Sequence, residues 1–190
     1  ATFLLFYYRN LVYDKIASMA KKSLCLGFDL DGVIVDKLVL IPKILIEWSV
    51  KSCCGTDFYR FPKSQIEQRI RKISHFYLFR RSLRKNIEFI RKLKKQGYKL
   101  YVISGRYSFL EEETMDWLKK KGLENLFEKV FINRENEQPH LFKEKIIKKL
   151  DLDYYFEDDV KTFKYLKERL AKTKVFLINE NQKLSDAMRQ

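Results

Sequence analysis

The chain has 190 residues, 46% of them hydrophobic, and a formal net charge of +14. That length and apolar content suit one globular domain with a real core and exclude a disordered or fibrous chain. No apolar run approaches the length of a membrane span, and three prolines and six glycines leave no room for a long flexible linker.

Phe3 to Met19 reads as an amphipathic helix packed on the domain, so residues 1–22 are expected to form an N-terminal helical extension. Leu24 to Asp29 reads as a buried strand, ending in Asp29-Leu30-Asp31-Gly32-Val33. Residues two apart on a strand share a face, so at its end both carboxylates can reach one site. Two carboxylates that close repel unless a cation or a shared proton offsets them, and this suggests a metal-assisted site. Gly32 marks an unusual backbone turn or a close approach.

Val33 to Leu40 is β-branched and apolar and reads as a hairpin or flap over that site. Pro42 opens a helix with Ile44, Leu45 and Trp48 on one stripe, and Cys53 to Pro62 is a turn region. Ser64 with Glu67 forms a capping box for a helix whose Ile66, Ile70, Ile73 and Tyr77 recur at helical spacing. Leu83 to Lys95 is a further helix, stopped by Gly97. Lys99 to Ile103 is the second strand and runs into Ser104-Gly105-Arg106. A helix from Glu111 to Lys121 stops at Gly122. Then follow a strand at Val130–Ile132, a helix at Leu141–Leu150 and a strand at Tyr154–Phe156 leading into Glu157-Asp158-Asp159. Phe163 to Leu170 is the last helix and Lys174 to Ile178 the fifth strand.

Strands alternating with helices imply an α/β fold, a Rossmann-like doubly wound parallel sheet covered on both faces. Sites in such sheets lie beyond the carboxyl ends of the strands. The polar clusters Asp29/Asp31, Ser104 and Glu157/Asp158/Asp159 each follow directly on a strand. Cys25, Cys53 and Cys54 make a poor disulfide framework and no zinc spacing, which points to a reducing, cytoplasmic compartment. Residues 60–99 hold 14 Lys or Arg against two acids, a field that attracts phosphorylated metabolites, nucleic acid or an acidic partner.

Taken in order, these motifs resemble those of the haloacid dehalogenase-like superfamily of phosphohydrolases. Asp29-Leu30-Asp31-Gly32-Val33 matches its first motif, Ser104 its second, Lys143 or Lys145 its third, and the Glu157-Asp158-Asp159 cluster its fourth. The resemblance spans residues 24 to 159 and implies a phosphatase. Asp29 would be the nucleophile and Asp31 the general acid, then the base. Mg2+ would sit between Asp29, the backbone carbonyl of Asp31 and an acid of the late cluster. Asp158 is favoured for that acid, with Glu157 second. Ser104 would hydrogen-bond a phosphoryl oxygen, with backbone N–H groups near Gly32 and Gly105 adding to it, and Arg106 is a candidate substrate ligand.

Helical phase favours Lys143 over Lys145, because Lys143 shares the stripe of Ile146, Ile147 and Leu150. Neither histidine has a partner at catalytic or ligand spacing; His75 is expected to be structural or exposed, and an entrance position is the minor alternative for His140, just ahead of Lys143. Residues 23–37 and 81–190 form the core domain, and residues 38–80 a small helical cap inserted after the first motif. Arg60, Arg69, Arg80 and Arg81 are candidates to face the cleft, as are the interleaved aromatics Phe58, Tyr59, Phe61, Phe76, Tyr77 and Phe79. The expected substrate is a small phosphorylated metabolite, a nucleoside monophosphate being one candidate. The alternatives are a phosphatase of nucleic-acid ends and a non-catalytic module that holds nucleic acid or an acidic partner on its basic face.

Overall fold

A computed structural model describes residues 23–36, 59–179 and 184–188. The expected N-terminal extension, the helix after Pro42 and the Cys53/Cys54 pair lie outside the described residues. Five strands form one parallel sheet: β1 (Cys25–Phe28), β2 (Lys99–Tyr107), β3 (Lys129–Asn133), β4 (Tyr154–Glu157) and β5 (Lys174–Leu177), in the order β3-β2-β1-β4-β5. Among the helices, α1 (Gln65–Ser74) and α2 (Arg84–Lys95) precede β2, α3 (Glu111–Lys120) precedes β3, and α4 (Pro139–Leu150) precedes β4. Helix α5 (Val160–Arg169) joins β4 to β5, and a short α6 (Leu184–Ala187) follows.

The apolar runs explain the sheet. β1 lies at its centre, covered on both faces, so it carries no polar alternation before Asp29. One core packs Leu26, Phe28, Ile90, Leu100, Val102 and Trp117 together, and the opposite face packs Ile103, Phe142, Ile147, Tyr155 and Leu166. Val102 and Ile103, adjacent in sequence, go to opposite cores as the pleat requires. Phe28 pairs with Phe156 across β1 and β4, and Phe156 with Phe176 across β4 and β5. Their rings stack at centroid separations of 5.0 and 5.4 Å. This register sets the residues one step beyond, Asp29 and Glu157, at the same level of neighbouring strand ends.

Five local expectations change. Val33, Ile34 and Val35 are fully buried in a tight turn in which the Ile34 and Val35 N–H groups donate to Leu30 O; they belong to the core and form no flap. The Ser64 side chain makes no cap bond, and the Glu67 carboxylate pairs with Arg60 and Arg71 rather than closing the capping box. The stripe Ile66, Ile70, Ile73 of α1 is exposed. Strand β2 does not end at Ile103 but continues to Tyr107, with a register shift against β3 between Ser104 and Tyr107. Helix α5 starts three residues before Phe163, because Asp159 caps it by accepting from Thr162 N at 2.8 Å.

Candidate active site

Asp29 leaves β1 still tied to the sheet, its N–H donating to Phe156 O at 2.9 Å. Its carboxylate is buried, with Oδ1 accepting from Leu30 N at 2.8 Å and Oδ2 lying 2.9 Å from Lys143 Nζ. Lys143 reaches from α4 and also donates to Glu157 Oε2 at 2.8 Å. All three groups are almost wholly buried, where such charges need close partners of opposite sign. Burial pushes the Asp29 carboxyl well above the ordinary carboxylate range, and the Lys143 ammonium only partly opposes this. Lys143 itself is held charged: burial works against it, but Asp29 and Glu157 together raise its pKa. Lys145, by contrast, is on the exposed side of α4 and pairs with Glu137.

Glycine makes two close approaches possible here. Gly32 has φ 72°, and a Cβ on it would overlap the Asp158 carboxylate. A Cβ on Gly105 would lie 2.8 Å from Pro139 Cβ and 3.5 Å from Lys143 Cε, so its absence lets the start of α4 bring Lys143 inward.

Oxygen atoms of Asp29, Glu157 and Asp158 lie within 4.8 Å of one another. With all three ionised, the carboxylates against one ammonium leave two negative charges; a divalent cation would complement them and favour the charged form of Asp29 that burial opposes. An all-oxygen donor set of this kind suits Mg2+. Asp159 is not part of the cluster; its carboxylate caps α5 and accepts from the Tyr59 hydroxyl.

The Asp31 side chain turns the other way. Arg106 grips it with a fork, Nε donating to Oδ2 and Nη2 to Oδ1, both at 2.7 Å, and Arg80 pairs with Oδ1 as well. Burial opposes ionisation of Asp31, but the two guanidinium groups outweigh it and hold the carboxyl well below its usual range. The arginines are themselves fixed. Arg106 Nη1 donates to Thr114 Oγ1 at 2.9 Å, and the Arg80 carbonyl accepts from Trp117 Nε1 at 2.9 Å.

A cavity of about 700 Å³ opens over these groups. It is lined by the acids Asp29, Asp31, Glu157, Asp158 and Asp159 and, among others, by Arg60, Arg71, His75, Arg106 and Tyr107. Of the four arginines expected to face the cleft, Arg60 lines it; Arg80 lies behind Asp31, and Arg69 and Arg81 are exposed elsewhere. Of the six aromatics, Tyr59 lines it; Phe61 packs edge-on against Tyr107 at 5.0 Å. Ser104 does not line the cavity. It stays in the β2–β3 ladder opposite Ile132, 1% exposed, and its Oγ accepts from Arg106 N at 3.3 Å. His140 is not at the entrance, for it is buried edge-on against Tyr165 with ring centroids 4.5 Å apart. His75 has the opposite fate and lines the cavity.

Sequence reasoning missed His75, Arg71 and the Arg80–Asp31 pair. The signal that would reveal the last is the bridge between Val35 and Ser82, which brings Arg80 beside the first motif. That pairing spans 47 residues and leaves no local pattern.

A central parallel sheet with an acidic site at the carboxyl ends of β1, β2 and β4 defines the class: the chain has the haloacid dehalogenase-like fold. No family model matches it, and no curated protein matches it. Among solved structures it is similar to a haloacid dehalogenase family enzyme from Bacteroides thetaiotaomicron, an aspartate-to-alanine mutant in complex with magnesium and inorganic phosphate. Identity is 13%, 88% of this chain and 99% of that one are covered, and the TM-score is 0.57. A haloacid dehalogenase-like hydrolase from Bacteroides fragilis gives the same identity and TM-score over 88% of this chain and 93% of that one. A hydrolase from Streptococcus pneumoniae is 11% identical over 88% of this chain and 97% of that one, with a TM-score of 0.53. At such identities the likeness is one of fold. No helix among the described residues is long and apolar enough to cross a membrane.

Proposed function

We propose that this chain is a Mg2+-dependent phosphomonoester hydrolase that works through an aspartyl-phosphate on Asp29. The observation that carries the reading is the convergence of Asp29, Lys143, Glu157 and Asp158 in one buried cluster, with Lys143 Nζ 2.9 Å from the proposed nucleophile. A solved relative in fold is crystallised with magnesium and inorganic phosphate, which supports the same chemistry.

In this scheme a carboxylate oxygen of Asp29 attacks phosphorus, and the bond from phosphorus to the ester oxygen breaks. The leaving oxygen takes its proton from water, because Asp31, expected as the general acid, is held ionised by Arg106 and Arg80. A water then attacks phosphorus, its proton passes by way of Asp31 to the hydroxide left by the first step, and the bond to Asp29 breaks to free inorganic phosphate. Lys143 keeps Asp29 and Glu157 paired and offsets the charge of the incoming phosphate. Asp29, Asp158 and Glu157, with the backbone carbonyl of Asp31, are the proposed Mg2+ ligands. The cation would neutralise the repulsion between carboxylate and phosphate and steady the charge during transfer. Gly32, Gly105 and Arg106 are proposed to border the phosphate; Ser104, held in the β2–β3 ladder outside the cavity lining, would need to move to donate to it. Residues 38–80 are proposed as a small cap, whose described part gives Tyr59, Arg60, Arg71 and His75 to the cavity.

The substrate fits a single phosphate. Among the described residues five acids line the cavity against Arg60, Arg71, Arg106, Lys143 and Lys161, so with these groups a divalent cation and a phosphate dianion close the balance without a second anion. A small phosphorylated metabolite is the reading this supports, in the reducing compartment that the cysteine usage indicates. The test is turnover of p-nitrophenyl phosphate with Mg2+. Chelation should abolish it, and Asp29→Asn should lower kcat by ~10³-fold or more while the protein stays folded. Turnover that survives Asp29→Asn overturns the proposal.

A further inference from the structure

His75 is the cavity group with no part in the scheme above. It follows α1, and its ring is tied by one edge: Nδ1 lies 2.8 Å from the Arg71 carbonyl oxygen and 3.0 Å from Ser74 Oγ. Ser74 Oγ itself donates to the Arg71 oxygen at 2.7 Å. A carbonyl oxygen only accepts, so Nδ1 must carry the ring proton. The opposite nitrogen, Nε2, is then a bare acceptor. Among the described residues no hydrogen bond reaches it, although the ring lines the cavity beside Asp31 and Arg106. Burial, and then the Arg106 charge, push the ring's pKa down to about 3, so it stays neutral at any ordinary pH.

The surroundings limit what can bind there. An anionic oxygen meets a lone pair and is repelled. A cation meets the nearby positive charges of Arg106 and Arg80, which Asp31 only partly offsets. What remains is a neutral donor. We infer that His75 Nε2 accepts a hydrogen bond from a hydroxyl of the leaving group, so that the site selects phosphomonoesters of polyhydroxylated alcohols over their deoxy analogues. His75 is on this view a specificity-determining residue on the leaving-group side, and the inference rests on the phosphatase reading.

The experiment compares kcat/KM, with Mg2+, for ester pairs that differ by one hydroxyl: ribose 5-phosphate against 2-deoxyribose 5-phosphate, and glycerol 3-phosphate against 1,3-propanediol monophosphate. An acceptor left unpaired by the deoxy partner should give a wild-type preference of ~10-fold or more in at least one pair. His75→Leu should bring that ratio towards one, and His75→Gln, which restores an acceptor oxygen, should recover part of it. Because each ratio is taken within one protein, a general loss of activity or stability does not move it. Ratios within about twofold in the wild type overturn the inference, as does a preference that persists in His75→Leu. If the Leu variant does not fold, the wild-type ratio and the Gln variant decide. Failure to turn over any ester, p-nitrophenyl phosphate included, overturns the phosphatase reading and this inference with it; turnover without discrimination overturns this inference alone.

Discussion

Asp31 shows how one residue can sit in a recognisable motif and still be governed by partners far away in sequence. Its carboxylate neutralises two buried guanidinium groups, so removing its charge leaves Arg80 and Arg106 facing each other. About a third of the Asp31 side chain is exposed, so the penalty is moderated by solvent. Asp31→Asn should therefore lower the stability at pH 7 by about 1–3 kcal/mol, measured by urea unfolding. The pH dependence has a definite sign. The folded pKa lies below the ordinary 3.8, so the ionised form favours the folded state, and the contribution is complete above that value. It fades as pH falls below 3.8 towards the depressed folded pKa, so the gap between wild type and variant should be smaller at ~pH 3 than at pH 7. A gap that stays constant from pH 7 to ~3 contradicts the ion pair.

At the level of elements, the strand ends were readable and their fine geometry was not. The apolar runs at β1, β2 and β4, each closed by polar residues, were enough to place three clusters on one rim, because strand period and burial are local properties. Helical phase was enough to separate Lys143 from Lys145. The continuation of β2 to Tyr107 was not legible, since a register shift depends on β3, and it sends Arg106 to Asp31 while leaving Ser104 in the ladder. The turn after β1 was misread for a similar reason. Val33 to Val35 are β-branched, but the core on that side takes them in as a turn. Gly32 joins two of these elements, its positive φ bringing the turn against Asp158 at the end of β4. Gly32→Ala strains the backbone by ~1 kcal/mol and pushes the Asp158 carboxylate away from Asp29 and Glu157. Calorimetric titration should show Mg2+ affinity reduced ~10-fold or more. Unchanged affinity would remove Asp158 from the proposed ligand set.

For the molecule as a whole, the question is what a net charge of +14 does for a site whose own lining is balanced. Most of the excess lies in residues 60–99, and there it divides by position. Arg60 and Arg71 line the cavity, whereas Arg84, Lys85, Arg91 and Lys95 are exposed on α2 and do not. Such charges act through the field, which draws phosphate esters towards the protein without touching them. Their reach is set by screening, with a Debye length of about 30 Å at ~0.01 M salt and about 10 Å at ~0.1 M. Raising ionic strength over that range should therefore lower kcat/KM severalfold for a dianionic ester and leave kcat nearly constant, because the bound complex is held by short contacts. Replacing Arg84, Lys85, Arg91 and Lys95 together by Gln should flatten the salt dependence without altering kcat at saturating substrate. A salt slope that survives the fourfold replacement would place the attraction in the cavity-lining arginines. A slope absent from the wild type would mean that the basic surface of α2 has no part in substrate capture.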